Sequence, residues 1–173
     1  MIAALDINGF VIPTIDCVMR DEISSEGAAG TVNACYFEDW VEHFLCPTLG
    51  NYANCEPKSI VVMDNASTHM DTRVAELIKA TGAEIIYTAP YSPDLNPIEL
   101  GFNIYKSNLK RFETTFRSDW FATHMKALNE ITRDTCIKEF RRCGVPMSDE
   151  EFTSSEIMQL SLMAIGIQLI NNI

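Results

Sequence analysis

The pattern that most constrains this chain is a strand–helix–strand sequence between residues 60 and 87. The apolar run Ile60–Met63 is typical of a short buried strand. A helical pattern follows, in which Val74, Leu77 and Ile78 form one apolar face. Residues 85–87 then predict a second strand. Strands that alternate with helices in this way predict an α/β fold built on a sheet.

Two carboxylates stand next to these predicted elements. Asp64 follows the first strand directly, and Glu99 lies just inside a predicted helix that begins at Pro97. Ligands of open α/β sheets bind in the crevice at the strand ends, so the two acids are expected to face one site. Facing carboxylates suit a hard divalent cation such as Mg²⁺. Metal ions held in this way activate water and stabilise the leaving oxygen of a phosphodiester.

Each acid also has an ordinary explanation when it is taken alone. An aspartate at the end of a strand is unremarkable. Asn96 and Glu99 have the spacing of a capping box, and Pro97 suits the first position of a helix, so Glu99 could simply cap its own helix. The combination of both acids with their surrounding sequence favours metal binding.

Two tracts resemble the catalytic core of the mariner-type transposases of the DDE superfamily. They are VVMDNASTH at residues 61–69 and YSPDLNPIE at residues 91–99. The 34 positions from 65 to 98 that separate Asp64 from Glu99 also match the spacing in that group. The resemblance covers residues 1–144. It implies an RNase H-like mixed sheet with flanking helices, and metal-dependent cleavage and strand transfer of DNA at transposon ends, with Mg²⁺ or Mn²⁺ bound by Asp64 and Glu99. It also allows for a homodimer.

Further residues near the two acids are candidates for supporting the metal ligands or for contacting DNA. Glu99, Lys106 and Lys110 share one face of the predicted helix by their spacing, although a solvated surface explains the lysines equally well. His69 either supports a metal ligand or contacts a phosphate, or it is an ordinary histidine at a helix start. The full set of candidates is Asn65, His69, Tyr91, Asn96, Lys106 and Lys110.

The resemblance also predicts that one strand is missing. The family carries its first catalytic carboxylate on a central strand, whereas residues 1–6 resemble the second strand of the family. We therefore expect an N-terminally truncated domain that lacks the usual first central strand and leaves two inner sheet edges unpaired. Asp6 is not a replacement acid, because it lies beside the predicted Asn8-Gly9 hairpin turn, where aspartate makes local hydrogen bonds.

Three functions follow from this incomplete set of acids. The chain is a DDE transposase or endonuclease domain with impaired catalysis, or it is a non-catalytic relic that binds DNA or protein. A different RNase H-like nuclease, acting on RNA or on a junction, is disfavoured by the tract at residues 91–99.

Composition adds expectations about partners and location. The formal net charge is −11, which is unusual for a protein that contacts phosphates, but residues 97–143 carry nine basic and six acidic side chains. The six cysteines show no CxxC pair, which indicates a reduced, intracellular protein, nuclear in a eukaryote and otherwise cytoplasmic. Residues 145–173 are predicted to form a helical extension, and its apolar part, residues 157–170, is too short to cross a membrane.

Overall fold

One five-stranded mixed sheet organises the computed structural model, which describes residues 1–16, 32–112, 119–145 and 162–167. In chain order the strands are β1 (Ile2–Asp6), β2 (Gly9–Phe10), β3 (Ile60–Met63), β4 (Glu84–Tyr87) and β5 (Leu162–Ile167). Their order across the sheet is β2-β1-β5-β3-β4. β3 runs parallel to β4 and β5, whereas β1 is antiparallel to β2 and β5. The predicted mixed α/β fold of the RNase H-like type is confirmed.

Helices cover both faces of this sheet. They are α1 (Ala34–Trp40), which continues through a π-helical turn (Val41–Leu45) and a 3₁₀ turn (Cys46–Thr48), and then α2 (Thr72–Ala80), α3 (Pro97–Arg111), α4 (Trp120–Asn129) and α5 (Arg133–Arg142). Alternate β1 residues divide between two cores, because successive side chains of a strand point to opposite faces. Ala3 and Leu5 pack with α3, α4 and α5, while Ile2 and Ala4 pack with α1 and α2.

Side chains cap the starts of α1 and α2. The Asn33 side chain accepts a hydrogen bond from the Tyr36 backbone N–H at the start of α1. At the start of α2, the Asp71 side chain accepts a hydrogen bond from the backbone N–H of Arg73.

The predicted hairpin is present, with its turn displaced by one residue. Asp6 pairs with Gly9, so Ile7 and Asn8 form the turn. Within this hairpin turn only Gly9 has a positive φ, of 127°. The Asp6 carboxylate accepts a hydrogen bond from the Asn8 backbone N–H at 2.7 Å, which is the local role expected for it. Asp6 also lies 3.6 Å from the Lys58 ammonium, near the start of β3. It is therefore at the sheet edge opposite to Asp64.

The place predicted to be empty in the middle of the sheet is occupied by β5. This strand pairs with β1 on one side and β3 on the other, so the expectation of two unpaired inner edges is wrong. The predicted helical extension is also wrong for Leu162–Ile167, which form a strand. A short apolar run fits a buried strand as well as a buried helix, and the unpaired edges of β1 and β3 favour the strand.

Most of the predicted helical extension, residues 146–161 and 168–173, lies outside the described residues.

A glycine allows α3 to lie close to the sheet. A Cβ atom at Gly101 would come within 3.1 Å of the Leu5 side chain, which is tighter than most contacts of this kind. Gly101 is two residues beyond Glu99. The close approach of α3 to β1 thus determines how near Glu99 lies to the strands.

Candidate functional site: a carboxylate pair at the sheet edge

The parallel pairing of β3 and β4 brings their following residues to one edge of the sheet. Met63 pairs with Tyr87, and Asp64 and Thr88 come next on the two strands. The Asn65 side chain donates a hydrogen bond to the Thr88 carbonyl at 2.8 Å. Asn65 therefore ties the two strand ends together beside Asp64.

Asp64 is held by two donors through one of its oxygens. Its Oδ1 lies 2.6 Å from His69 Nδ1 and accepts a hydrogen bond from the Ala66 backbone N–H at 3.0 Å. The His69 contact is the largest cause that lowers the pKa of Asp64, with the Ala66 N–H adding to it and burial opposing it. Asp64 is consequently ionised at neutral pH. Its Oδ2 accepts no hydrogen bond from the described residues, and the side chain is 42% exposed.

His69 is buried in the core behind Asp64. Its side chain is 2% exposed, and its ring lies 4.7 Å from the Phe37 ring, centroid to centroid. No local signal in the sequence connects Phe37 to His69. His69 Nε2 is buried without a hydrogen-bond partner among the described residues. The packing of His69 therefore fixes the donor that orients Asp64.

Glu99 lies in the first turn of α3 and is half-buried. The capping box does not form: the Asn96 side chain makes no capping bond, and the Asn96 backbone N–H donates to Pro93 instead. Burial is the largest cause that raises the pKa of Glu99, and the negative charge of Asp64 raises it further. Lys106 and His69 act in the opposite direction. The charges of Asp64, His69 and Lys106 therefore all act on Glu99.

The other predicted residues occupy different surroundings. Tyr91 is fully exposed, with a φ of 58°. Together with Asp64 and Asn65 it lines an open cleft of about 330 Å³. Glu99 is not among the residues that line this cleft. Lys110 is exposed farther along α3. Asn96 is completely buried and donates a hydrogen bond to the Ile165 carbonyl, so it is not placed to contact DNA.

A third acid is absent from this edge in the part of the chain that the structure describes, where no three metal-ligating side chains form a group. The strand register shows what stands there instead. Ala164 of β5 pairs with Val62 of β3, so two residues farther along these parallel strands Gly166 comes level with Asp64. The central strand thus has a glycine beside Asp64, whereas the resemblance implies a carboxylate on the central strand.

The two acids fit a divalent cation as a partial site. Both are oxygen donors, Asp64 has an uncommitted oxygen, and the charge of Asp64 raises the pKa of Glu99. A cation between them would relieve this repulsion. Two carboxylates are few for tight binding, so the remaining coordination would fall to water.

Comparison with known proteins matches residues 17–121 to a family model described as "DDE superfamily endonuclease". This range contains both Asp64 and Glu99 and covers more than half of the chain. Members of this superfamily typically depend on divalent metal ions and act on DNA. Searches of curated proteins and of solved structures found no match. In the described residues, no helix has the length and apolar character needed to cross a membrane.

Proposed function

This chain belongs to the DDE superfamily endonucleases, and we propose that Asp64 and Glu99 bind Mg²⁺ or Mn²⁺ in a DNA-cleaving domain of the mariner transposase type. The observation that carries this proposal is the placement of the two acids: Asp64 directly follows β3, and Glu99 lies in the first turn of α3, which packs on β5 beside β3. In agreement with this placement, the negative charge of Asp64 raises the pKa of Glu99. The two residues come from different elements, and each has an ordinary explanation alone. Their meeting at one sheet edge does not follow from either explanation.

The residues around the pair have distinct tasks in this proposal. Asp64 and Glu99 would hold the metal ion, which when bound would supply an activated water and stabilise the leaving oxygen. His69 holds Asp64 ionised and oriented through the contact at 2.6 Å. Lys106, which lowers the pKa of Glu99, and the exposed Lys110 provide positive charge for DNA phosphates. Tyr91 offers an exposed aromatic ring beside the cleft for a nucleotide.

We propose that catalysis by this chain is impaired, because the described residues supply two acids where the resemblance implies three. Purified protein should nick DNA weakly at most and should not perform strand transfer by itself. Efficient metal-dependent strand transfer by the 173-residue chain would contradict this part of the proposal.

A second candidate function is favoured by the glycine on the central strand. If Gly166 stands where an acid is needed, the domain acts as a binding module for DNA or protein, and the excess of basic residues at 97–143 is its contact surface. In that case charge reversal at Lys106 and Lys110 abolishes DNA binding, whereas loss of the acids leaves it intact.

The experiment that tests the proposed function combines metal binding with plasmid nicking. Mn²⁺ binding is followed by electron paramagnetic resonance, and nicking of supercoiled DNA is measured with Mn²⁺ present. Asp64→Asn and Glu99→Gln should each abolish both signals. Glu76→Gln, which changes an exposed acid on α2, is the matched control and should retain them. Signals that survive in both site variants refute the metal pair.

We further propose that the protein acts as a homodimer on transposon ends, in the nucleus of a eukaryote or otherwise in the cytoplasm. The homology to DDE endonucleases supports DNA as the partner. Sedimentation of the protein with and without DNA tests the dimer, and a monomer under both conditions contradicts it.

A further inference from the structure

Asn96 connects the helix that carries Glu99 to the central strand. Its Nδ2 donates a hydrogen bond to the Ile165 carbonyl at 3.0 Å, and both residues are fully buried. Its Oδ1 has no partner among the described residues. Asn96 occupies the cap position of α3, three residues before Glu99, yet it does not cap the helix. The side chain instead joins the start of α3 to β5.

The same strand supports the other acid. β5 pairs with β3 along Ile60–Val62, and this pairing ends two residues before Asp64. α3 also packs directly against β5. The supports of both carboxylates therefore meet on one strand, Asp64 through the sheet and Glu99 through Asn96.

We propose that β5 is a positioning element for the carboxylate pair and that Asn96 is the residue through which it positions Glu99. This inference rests on the proposed metal-binding function. The hydrogen bond fixes the first turn of α3 relative to the strand beside β3, and thereby sets the separation of the two acids. A segment distant in sequence, residues 162–167, thus controls the affinity of the site for a metal ion.

A purely structural explanation would treat Asn96 as one buried hydrogen bond among many. The chain offers a matched control for that explanation. Asn108 lies on the same helix, is also buried, and its Nδ2 donates to the Ala127 carbonyl at 3.1 Å. Asn96→Ala and Asn108→Ala remove the same kind of bond, but only the first reaches β5.

The experiment measures Mn²⁺ affinity by electron paramagnetic resonance in the wild-type chain and in both variants, at a temperature where all are folded. We expect Asn96→Ala to weaken Mn²⁺ binding about 10-fold or more, as for other residues that orient metal ligands. Asn108→Ala should bind like the wild type. Equal affinity in Asn96→Ala and the wild type overturns the inference while leaving the proposed function intact.

A second measurement does not depend on the folding of a variant. If β5 positions the site, a metal ion bound there must in turn stabilise β5, because coupling between two sites is reciprocal. Mn²⁺ should therefore slow hydrogen exchange of the backbone amides at 162–167 in the wild-type chain. Metal binding without this protection overturns the inference. Absence of Mn²⁺ binding to the wild type overturns the proposed function itself, and the inference with it.

Discussion

A carboxylate introduced at position 166 should convert the pair of acids into a three-acid metal site. The last pair of β5 with β3 joins Ala164 to Val62, and extending this register by two residues puts position 166 level with Asp64. Successive side chains alternate across a sheet, so a side chain at 166 shares the face of Ala164, which packs in the core with α3. Glu99 comes from that same helix. We therefore expect Gly166→Asp to bind Mn²⁺ more tightly than the wild type.

The magnitude follows from the spacing of neighbouring strands, which is about 4.8 Å. Two like charges about 5 Å apart repel by about 3 kcal/mol at an effective dielectric constant of about 20. Because Asp64 is 42% exposed, solvent reduces this value. Without metal, Gly166→Asp should thus lose about 1–3 kcal/mol of unfolding free energy. With Mn²⁺ the third ligand should raise the affinity at least about tenfold, which is about 1.4 kcal/mol.

Urea unfolding with and without Mn²⁺, together with metal titration by electron paramagnetic resonance, checks both numbers. Gly166→Asn is the matched control, because it has nearly the same shape without the charge. It should neither lose stability through repulsion nor gain affinity for the metal. If Gly166→Asp folds but binds Mn²⁺ no better than Gly166→Asn, the inferred position of residue 166 beside Asp64 is wrong.

Three further predictions concern the two acids, the histidine that contacts Asp64, and a hydrogen bond in the core. Asp64→Asn should remove the stabilisation of the protein by Mn²⁺ in thermal melts, and so should Glu99→Gln; a melting temperature that still rises with metal contradicts the pair. Because the pKa of Asp64 is lowered by His69, their contact stabilises the fold above the ordinary aspartate pKa of about 3.9 and is lost as the pH falls through the lowered value. The raised pKa of Glu99 acts in the opposite sense, since its protonation on acidification favours the fold. His69→Gln should therefore lose less stability on acidification than the wild type in urea unfolding, and equal losses refute the contact. Trp40→Phe breaks a buried hydrogen bond of 2.9 Å to the Thr14 carbonyl and should cost about 1–3 kcal/mol; a loss below about 1 kcal/mol contradicts this.

Much of the fold was predictable because it is encoded in local patterns. The buried strand before Asp64 and the helix start at Pro97 each depend on a few consecutive residues. The sequence motifs also predicted the DDE superfamily, which the family match over residues 17–121 confirms. The roles of the individual site residues stay predictions.

What the sequence did not predict depends on contacts between distant residues. Nothing near residues 162–167 indicates that this segment pairs with β1 and β3, because its partners lie more than 90 positions away. The hydrogen bond of Asn96 was not predictable for the same reason. Its local context, directly before Pro97, is typical of a cap, and only the arrival of β5 supplies the Ile165 carbonyl to which it donates. Long-range pairing, rather than any weak propensity, was the missing information.

The position of β5 has a consequence for how the protein is made. A ribosome synthesises β1 and β3 long before β5, although β5 lies between them in the sheet. During that interval the facing edges of β1 and β3 lack their partner, and exposed strand edges promote association between chains. Sheets that close through such distant pairings also fold slowly. We expect the nascent chain to depend on chaperones until residues 162–167 have left the exit tunnel.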